Sequence, residues 1–284
     1  MTIVDDLWLA ALIRNEADAG SNNRFNLTVN LDGGDFLDQD FTLGWIASGG
    51  GPSGQAGHYG LGQGQAGLEK SAPLSTLLDP SALTNSSIRL GIRGDNAWGP
   101  QHVLLFGHAQ PAFTPGRIIA LAMETDLTLR LSSDASEGQL TMRLRLVTPG
   151  SSTTVIRRVL LLVYTGGGSD VETTNSIVLQ IAAGGALVLH QKITDDLNKN
   201  LARWYFLDVE APFTKGDIVP DGINLSILGT DAWLPKRVFV FGLDTVTGRP
   251  NEVVTLVSIP EWGLGWLSTD HTEGNSPIPL PLSI

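Results

Sequence analysis

Two short acidic stretches in this chain are near copies of each other: LSSDASEG from Leu131 to Gly138, and LSTDHTEG from Leu267 to Gly274. Each sets a pair of carboxylates ahead of a glycine, Asp134 with Glu137 and Asp270 with Glu273. Further polar groups recur just before a tryptophan: Asp95 and Asn96 precede Trp98, and Asp231 precedes Trp233. Hard oxygen ligands gathered on loops suit Ca2+, which accepts about six to eight oxygens at flexible geometry. The sequence therefore nominates Asp95, Asn96, Asp134, Glu137, Asp231, Asp270 and Glu273 as metal ligands, one site per copy, with Ca2+ as the candidate cofactor. A structural role competes with this. Asp and Asn bond their own backbone in turns, and Glu-Gly closes a hairpin.

Six large side chains are candidates for contact with a ligand or partner. Trp98 and Trp233 repeat; Trp262 and Trp266, in EWGLGW, have no counterpart in the first half; His58 and Tyr59 sit within a glycine-rich stretch. An exposed indole stacks on sugars or enters membranes, whereas a buried one packs in a core with its N–H on an acceptor.

Other chemistry is missing. The chain has no cysteine, which removes disulfides, thiolate metal sites and cysteine nucleophiles. It lacks the nucleophile elbow, the HExxH zinc motif and the phosphate loop. The GxGxxG-like run from Gly62 to Gly67 does not sit between a strand and a helix. His102 and His108 fall on one strand but would need carboxylates to hold a metal. A hydrolase acting through paired carboxylates stays as an alternative, although nothing fixes two of them in one cleft. The net charge of -11 repels phosphate backbones and sets nucleic acid aside as a partner.

These residues are positioned by a repeat. IRLGIRGDNAWGPQHVLLFG (Ile88 to Gly107) matches INLSILGTDAWLPKRVFVFG (Ile223 to Gly242) without a gap, at an offset of 135 (223 − 88). Upstream, LEKSAPL from Leu68 matches LDVEAPF from Leu207 at an offset of 139 (207 − 68), and Gly33-Gly34 matches Gly184-Gly185 at 151 (184 − 33). The drop of 12 marks extra chain in copy one, the Gly-rich insertion 44–67. Copy one spans 1–148, copy two 155–284, and the polar stretch Thr148 to Thr154 joins them.

Each copy predicts short strands. Phe25, Leu27, Val29 and Leu31 alternate with polar residues, as do Ile88, Leu90 and Ile92, and Leu140, Met142, Leu144 and Leu146. The continuous apolar runs RVLLLVY, HVLLFG and RVFVFG predict strands inside a sheet, and Leu7 to Ile13 predicts a first strand. ITDDLNKNLARW, Ile193 to Trp204, has a helix as its alternative. With Gly and Asp turns between the runs, the expected class is all-β: two tandem antiparallel β-sandwich domains related by an internal repeat.

The order of parts resembles the PLAT/LH2 sandwich, which is similar to a C2 domain. Thr165-Gly166 with Gly168-Ser169-Asp170 fits its loop after the first strand, and Gly20-Ser21-Asn22 approximates it in copy one. Trp98 and Trp233 fit its Trp before a late strand. The resemblance implies that Asp18, Asp170 and Glu172 add ligands to a Ca2+ site.

The expectation is a non-catalytic binding or assembly module, not an enzyme, that engages protein, lipid or glycan through its loops. The alternative is a self-assembling shell, fibre or appendage subunit, with the C-terminal SPIPLPLSI exchanged between copies. A protein partner or self-association leads among the partners. No stretch reaches the roughly 18 apolar residues of a membrane helix, and the N-terminus lacks a basic signal-peptide region. A cytoplasmic place, or release by a non-classical route, is expected from that.

Overall fold

The structure is a computed structural model that describes residues 3–15, 24–31, 34–41, 66–70, 74, 77–93, 97–110 and 117–283. Apart from the single-turn helices Pro80–Ala82 and Lys215–Asp217, its regular elements are strands. The chain divides into two compact units, Met1–Thr148 and Pro149–Ile284.

Unit 1 contains β1 (Ile3–Ile13), β2 (Arg24–Leu31), β3 (Gly34–Phe41), β4 (Ala66–Lys70), β5 (Ile88–Arg93), β6 (Pro100–Gln110), β7 (Arg117–Glu124) and β8 (Thr141–Arg143). One antiparallel sheet runs β7-β6-β1-β4 and the other β3-β2-β5-β8. A two-residue strand, β9 (Thr148–Pro149), marks the boundary.

Unit 2 contains β10 (Val155–Thr165), β11 (Ser176–Ala183), β12 (Ala186–Ile193), β13 (Ala202–Thr214), β14 (Ile218–Leu228), β15 (Pro235–Leu243), β16 (Glu252–Ile259) and β17 (Ile278–Pro279). Its sheets run β16-β15-β10-β13 and β12-β11-β14-β17. Strand for strand this is the order found in unit 1.

The register agrees as well. Leu7 faces Gly107 as Val159 faces Gly242, and Leu27 faces Leu90 as Leu179 faces Leu225. The register shift between Leu12 and Ile13 recurs between Tyr164 and Thr165, and that between Leu105 and Phe106 recurs between Val240 and Phe241. One sequence match needs correcting. Leu68 pairs with Ala10, and the residue that pairs with the corresponding Leu162 is Trp204, not Leu207. A ladder, unlike a degenerate likeness of side chains, fixes register residue by residue. The offset is thus 152 before the insertion (159 − 7) and 136 after it (204 − 68), so unit 1 carries 16 extra residues there, not 12.

Period-two burial makes the layers. Phe25, Leu27 and Val29 of β2 and Ile88 and Leu90 of β5 are buried, while Arg89 and Arg93 are exposed. In unit 2, Val159, Leu161 and Val163 of one sheet join Ile177, Leu179, Ile181, Leu225 and Ile227 of the other in a single core. That is the packing of a sandwich, and each fully buried Leu, Ile or Val contributes about 1.5–3 kcal/mol of transfer free energy. Glycine closes the same contact in both units. A Cβ at Gly107 would lie 2.5 Å from Val4 Cγ1, and one at Gly242 would lie 2.6 Å from Ile156 Cδ1.

Two expectations change, and the place of the C-terminal stretch is defined. Leu140 is 57% exposed, because it lies just before β8 and is not part of its buried face. The helix alternative over Ile193 to Trp204 is not adopted; Ile193 ends β12 and β13 begins at Ala202. The C-terminal stretch pairs within its own unit, Ile278 facing Leu225, with the Leu280 N–H donating to the Ile223 carbonyl at 2.8 Å.

Candidate functional site

Three loops of unit 2 meet at one end of the sandwich. They connect β10 to β11, β14 to β15, and β16 to β17. The second and third are tied by a backbone pair, Trp233 and Leu267, each N–H donating to the other's carbonyl at 2.9 Å. The Thr269 hydroxyl adds a bond to the Gly229 carbonyl at 2.6 Å. The first loop joins through Asn175, whose side-chain amide donates to the Asp231 carbonyl at 3.2 Å, and through Val171, whose carbonyl accepts from Leu234 at 3.1 Å. Thus the three loops are laced together by the chain's own hydrogen bonds.

Between them lies a cleft of about 390 Å³, lined by Asp170, Thr230, Asp231, Ala232, Trp266 and Glu273. Asp170 comes from the first loop, Thr230 to Ala232 from the second, and Trp266 and Glu273 from the third. Asp170 is held with a φ of 57°, a left-handed conformation that Asp tolerates better than most side chains. Three carboxylates and one half-buried indole are therefore presented together. Carboxylates accept hydrogen bonds from hydroxyl or ammonium groups, and an indole face packs on apolar C–H or cationic surfaces.

The acidic loop itself is built the same way twice. Asp270 Oδ1 accepts from the Thr272 backbone and hydroxyl, both at 2.8 Å, and Asp134 Oδ1 accepts from the Ser136 backbone and hydroxyl at 2.8 and 2.7 Å. Those bonds hold the Asp134 carboxyl below the usual carboxylate range through the Ser136 hydroxyl first, and the Asp270 carboxyl through the Thr272 N–H first. The Ser132 and Ser268 hydroxyls accept from the Asp134 and Asp270 N–H groups at 3.0 and 3.1 Å, and donate to Glu137 and Glu273 at 3.4 Å. Gly138 and Gly274 finish the turn: a Cβ there would overlap the carbonyl of Arg130 or of Trp266. Asp134 and Asp270 thus cap their own turns, the role that competed with metal binding in the sequence.

The other nominated residues separate. Asp231 and Glu273 line the cleft, and so does Trp266. Asp95, Asn96, His58 and Tyr59 lie outside the described residues, as do Asp18, Gly20-Ser21-Asn22 and nearly all of the Gly-rich insertion. Glu172 faces elsewhere, accepting from the Lys199 N–H at 3.2 Å.

Trp98 and Trp233 are corrected as contact residues. Both are 0% exposed. Trp98 packs against Phe25 with centroids 4.2 Å apart, and the Trp233 indole donates to the Thr165 hydroxyl at 3.0 Å. Each is a plug between the sheets, fixed by its backbone pairing with Leu131 or Leu267. Trp262 is occupied by its own loop, its indole donating to the Gly265 carbonyl at 2.6 Å. Thr230 and Ala232 were not legible as cleft residues, since neither type signals a site.

Among the described residues, Asp5, Asp6 and His108 are the one set of three acidic or histidine side chains with ligand atoms within 4.8 Å of one another. Their atoms are already engaged. Asp6 accepts from the Trp8 indole at 3.0 Å and pairs with Lys70 at 2.8 Å, while Asp5 pairs with His108 at 2.9 Å. His102 is buried and accepts from the Asp126 N–H at 3.2 Å. No helix among the described residues is long and apolar enough to cross a membrane.

Comparison with protein-family models, with curated proteins and with solved structures found no match for the chain.

Proposed function

We propose that this chain is a non-catalytic binding protein, a tandem of PLAT/LH2-like sandwiches, that recognises a glycan in the loop cleft of unit 2. The observation that carries the proposal is the convergence of Asp170, Asp231 and Glu273 on Trp266 in one cleft. A sugar ring offers both halves of the match: hydroxyls that donate to carboxylates, and an apolar C–H face that stacks on an indole. The lacing of the three loops supports the same use, because a site set in advance loses little conformational entropy on binding. The two motifs behind the family resemblance also meet in space, through the bond from Trp233 to Thr165. The matching strand order and register of the two units support a duplicated domain.

The test is a glycan array probed with the full chain, followed by calorimetry on the sugars retained. Trp266→Ala is expected to weaken binding at least about tenfold, a change of about 1.4 kcal/mol, with the melting temperature nearly unchanged. Running the titration with Ca2+ and with EDTA assigns the carboxylates. Loss of binding in EDTA gives them to the ion, and unchanged binding gives them to the sugar hydroxyls. Equal binding by wild type and Trp266→Ala, or an array with no retained sugar, would overturn the proposal.

A further inference from the structure

The chain has 29 acidic and 18 basic residues, so a convergence of arginines runs against its overall charge. One occurs in unit 1. A groove of about 680 Å³ lies over β5 and β8 and is lined by Arg89, Arg143 and Arg145 with Asn85, Gln139 and Thr141 on its polar walls. It shares no residue with the cleft of unit 2.

Arg89 and Arg143 face each other directly across the β5–β8 ladder. Like charges in that position destabilise a sheet. Both side chains belong to exposed residues, and among the described residues neither has a carboxylate partner. Arg145 is different. Its Nε donates to Glu124 Oε1 at 3.0 Å and its Nη2 to Oε2 at 2.7 Å, while its backbone N–H donates to Oε1 at 2.9 Å. Glu124 is 3% exposed, so the carboxylate is a fixed anchor that orients the guanidinium plane and leaves Nη1 out of the pair. Arg145 and Glu124 cancel in charge, and the groove keeps the two positive charges of Arg89 and Arg143.

Unit 2 has nothing equivalent at these positions. The pair corresponding to Arg89 and Arg143 is Asn224 and Pro279, and Ile259 stands where Glu124 stands. The sandwich therefore does not require the arginines, since the same ladder forms without them.

From this we infer that the unit 1 groove binds a tetrahedral oxyanion, the phosphate or sulfate ester group of a small molecule. Guanidinium forks match two oxygens of such a group at once, which an ammonium does not. A fully ionised phosphate monoester carries two charges, the uncompensated charge of the groove, and a sulfate ester carries one. The groove is larger than one such group and is of the size that holds a small organic ligand, so Asn85, Gln139 and Thr141 are left for the rest of the molecule.

The test titrates the full chain by calorimetry at low salt with inorganic phosphate and, separately, with sulfate, and repeats both on Arg89→Gln/Arg143→Gln. Binding to wild type that weakens at least about tenfold in the double variant is the expected result. A preference for one anion then names the ester. Without anion, the double variant is expected to melt no lower than wild type, because the like-charge pair is gone. No heat with either anion, equal affinity in the double variant, or a clearly lower anion-free melting temperature would overturn the inference. If the double variant does not fold, Arg143→Gln alone carries the same comparison.

Discussion

The Trp233 indole N–H donates to the Thr165 hydroxyl at 3.0 Å, and the residue in Thr165's place in unit 1 is Ile13. Both sit at the same register shift, opposite Pro235 and Pro100. Ile13 offers no acceptor, and the Trp98 indole N–H, also fully buried, has no partner among the described residues. An unsatisfied buried donor costs about 1–3 kcal/mol. Thr165→Val is therefore expected to destabilise the chain by about that amount in urea unfolding, with Thr165→Ser recovering part of the loss. In unit 1, Ile13→Thr supplies the missing acceptor. A double-mutant cycle with Trp98→Phe should reveal a favourable coupling of about 1 kcal/mol between Thr at 13 and Trp at 98. Zero coupling would mean that the hydroxyl does not reach the indole.

Gly107 and Gly242 press against Val4 and Ile156 at the same place in the two units. Gly107→Ala and Gly242→Ala are each expected to cost about 1–3 kcal/mol through overpacking. Trimming the neighbour, in Gly107→Ala/Val4→Ala or Gly242→Ala/Ile156→Val, should return part of it. Equal stability of single and double variants, by thermal and denaturant unfolding, would contradict the contact.

Glu124 is buried while the Arg145 side chain is 57% exposed, so the two partners are not equivalent. Arg145→Ala leaves the buried Glu124 carboxyl with the residue 145 N–H as its remaining partner among the described residues, and is expected to cost about 2 kcal/mol. Glu124→Gln keeps an acceptor for that N–H and returns the arginine to water, and should cost less. The order of the two losses in urea unfolding checks the assignment.

The Asp134 and Asp270 turns give a pH dependence with a defined sign. Their hydrogen bonds hold both carboxyls below the ordinary value of 3.8 in the folded state. The stability they contribute is present above that value and is lost as the pH falls through the lower folded-state values. The melting temperature is expected to drop between about pH 5 and about pH 3, and to drop less in Asp134→Asn/Asp270→Asn. Asp79 and Asp217, bonded in the same manner to Ser81 and Thr214, add to the slope with the same sign.

How much of this was legible in the sequence follows from the physics of each part. Alternation at Phe25, Leu27 and Val29, and the continuous run Val159 to Val163, announce strands because the side-chain period is a local property. Asp231, Glu273 and Trp266 could be nominated from the sequence because loop chemistry stands out against a strand pattern, and the structure sets all three along one cleft. Trp98 and Trp233 were misjudged as contacts, since an indole is equally at home in a core or on a surface and only tertiary packing decides. The arginine groove was invisible: Arg89 and Arg143 lie far apart in the chain, and only the β5–β8 ladder sets them face to face.

The bonds that lace the unit 2 loops have a kinetic meaning. Asn175, Thr269 and the Trp233–Leu267 pair tie the rim together, so on the proposed reading of this cleft no loop rearrangement is needed between encounter and capture. If the glycan proposal holds, on-rates for different sugars are expected to cluster near one collision-limited value, with affinity differences carried by how long each one stays.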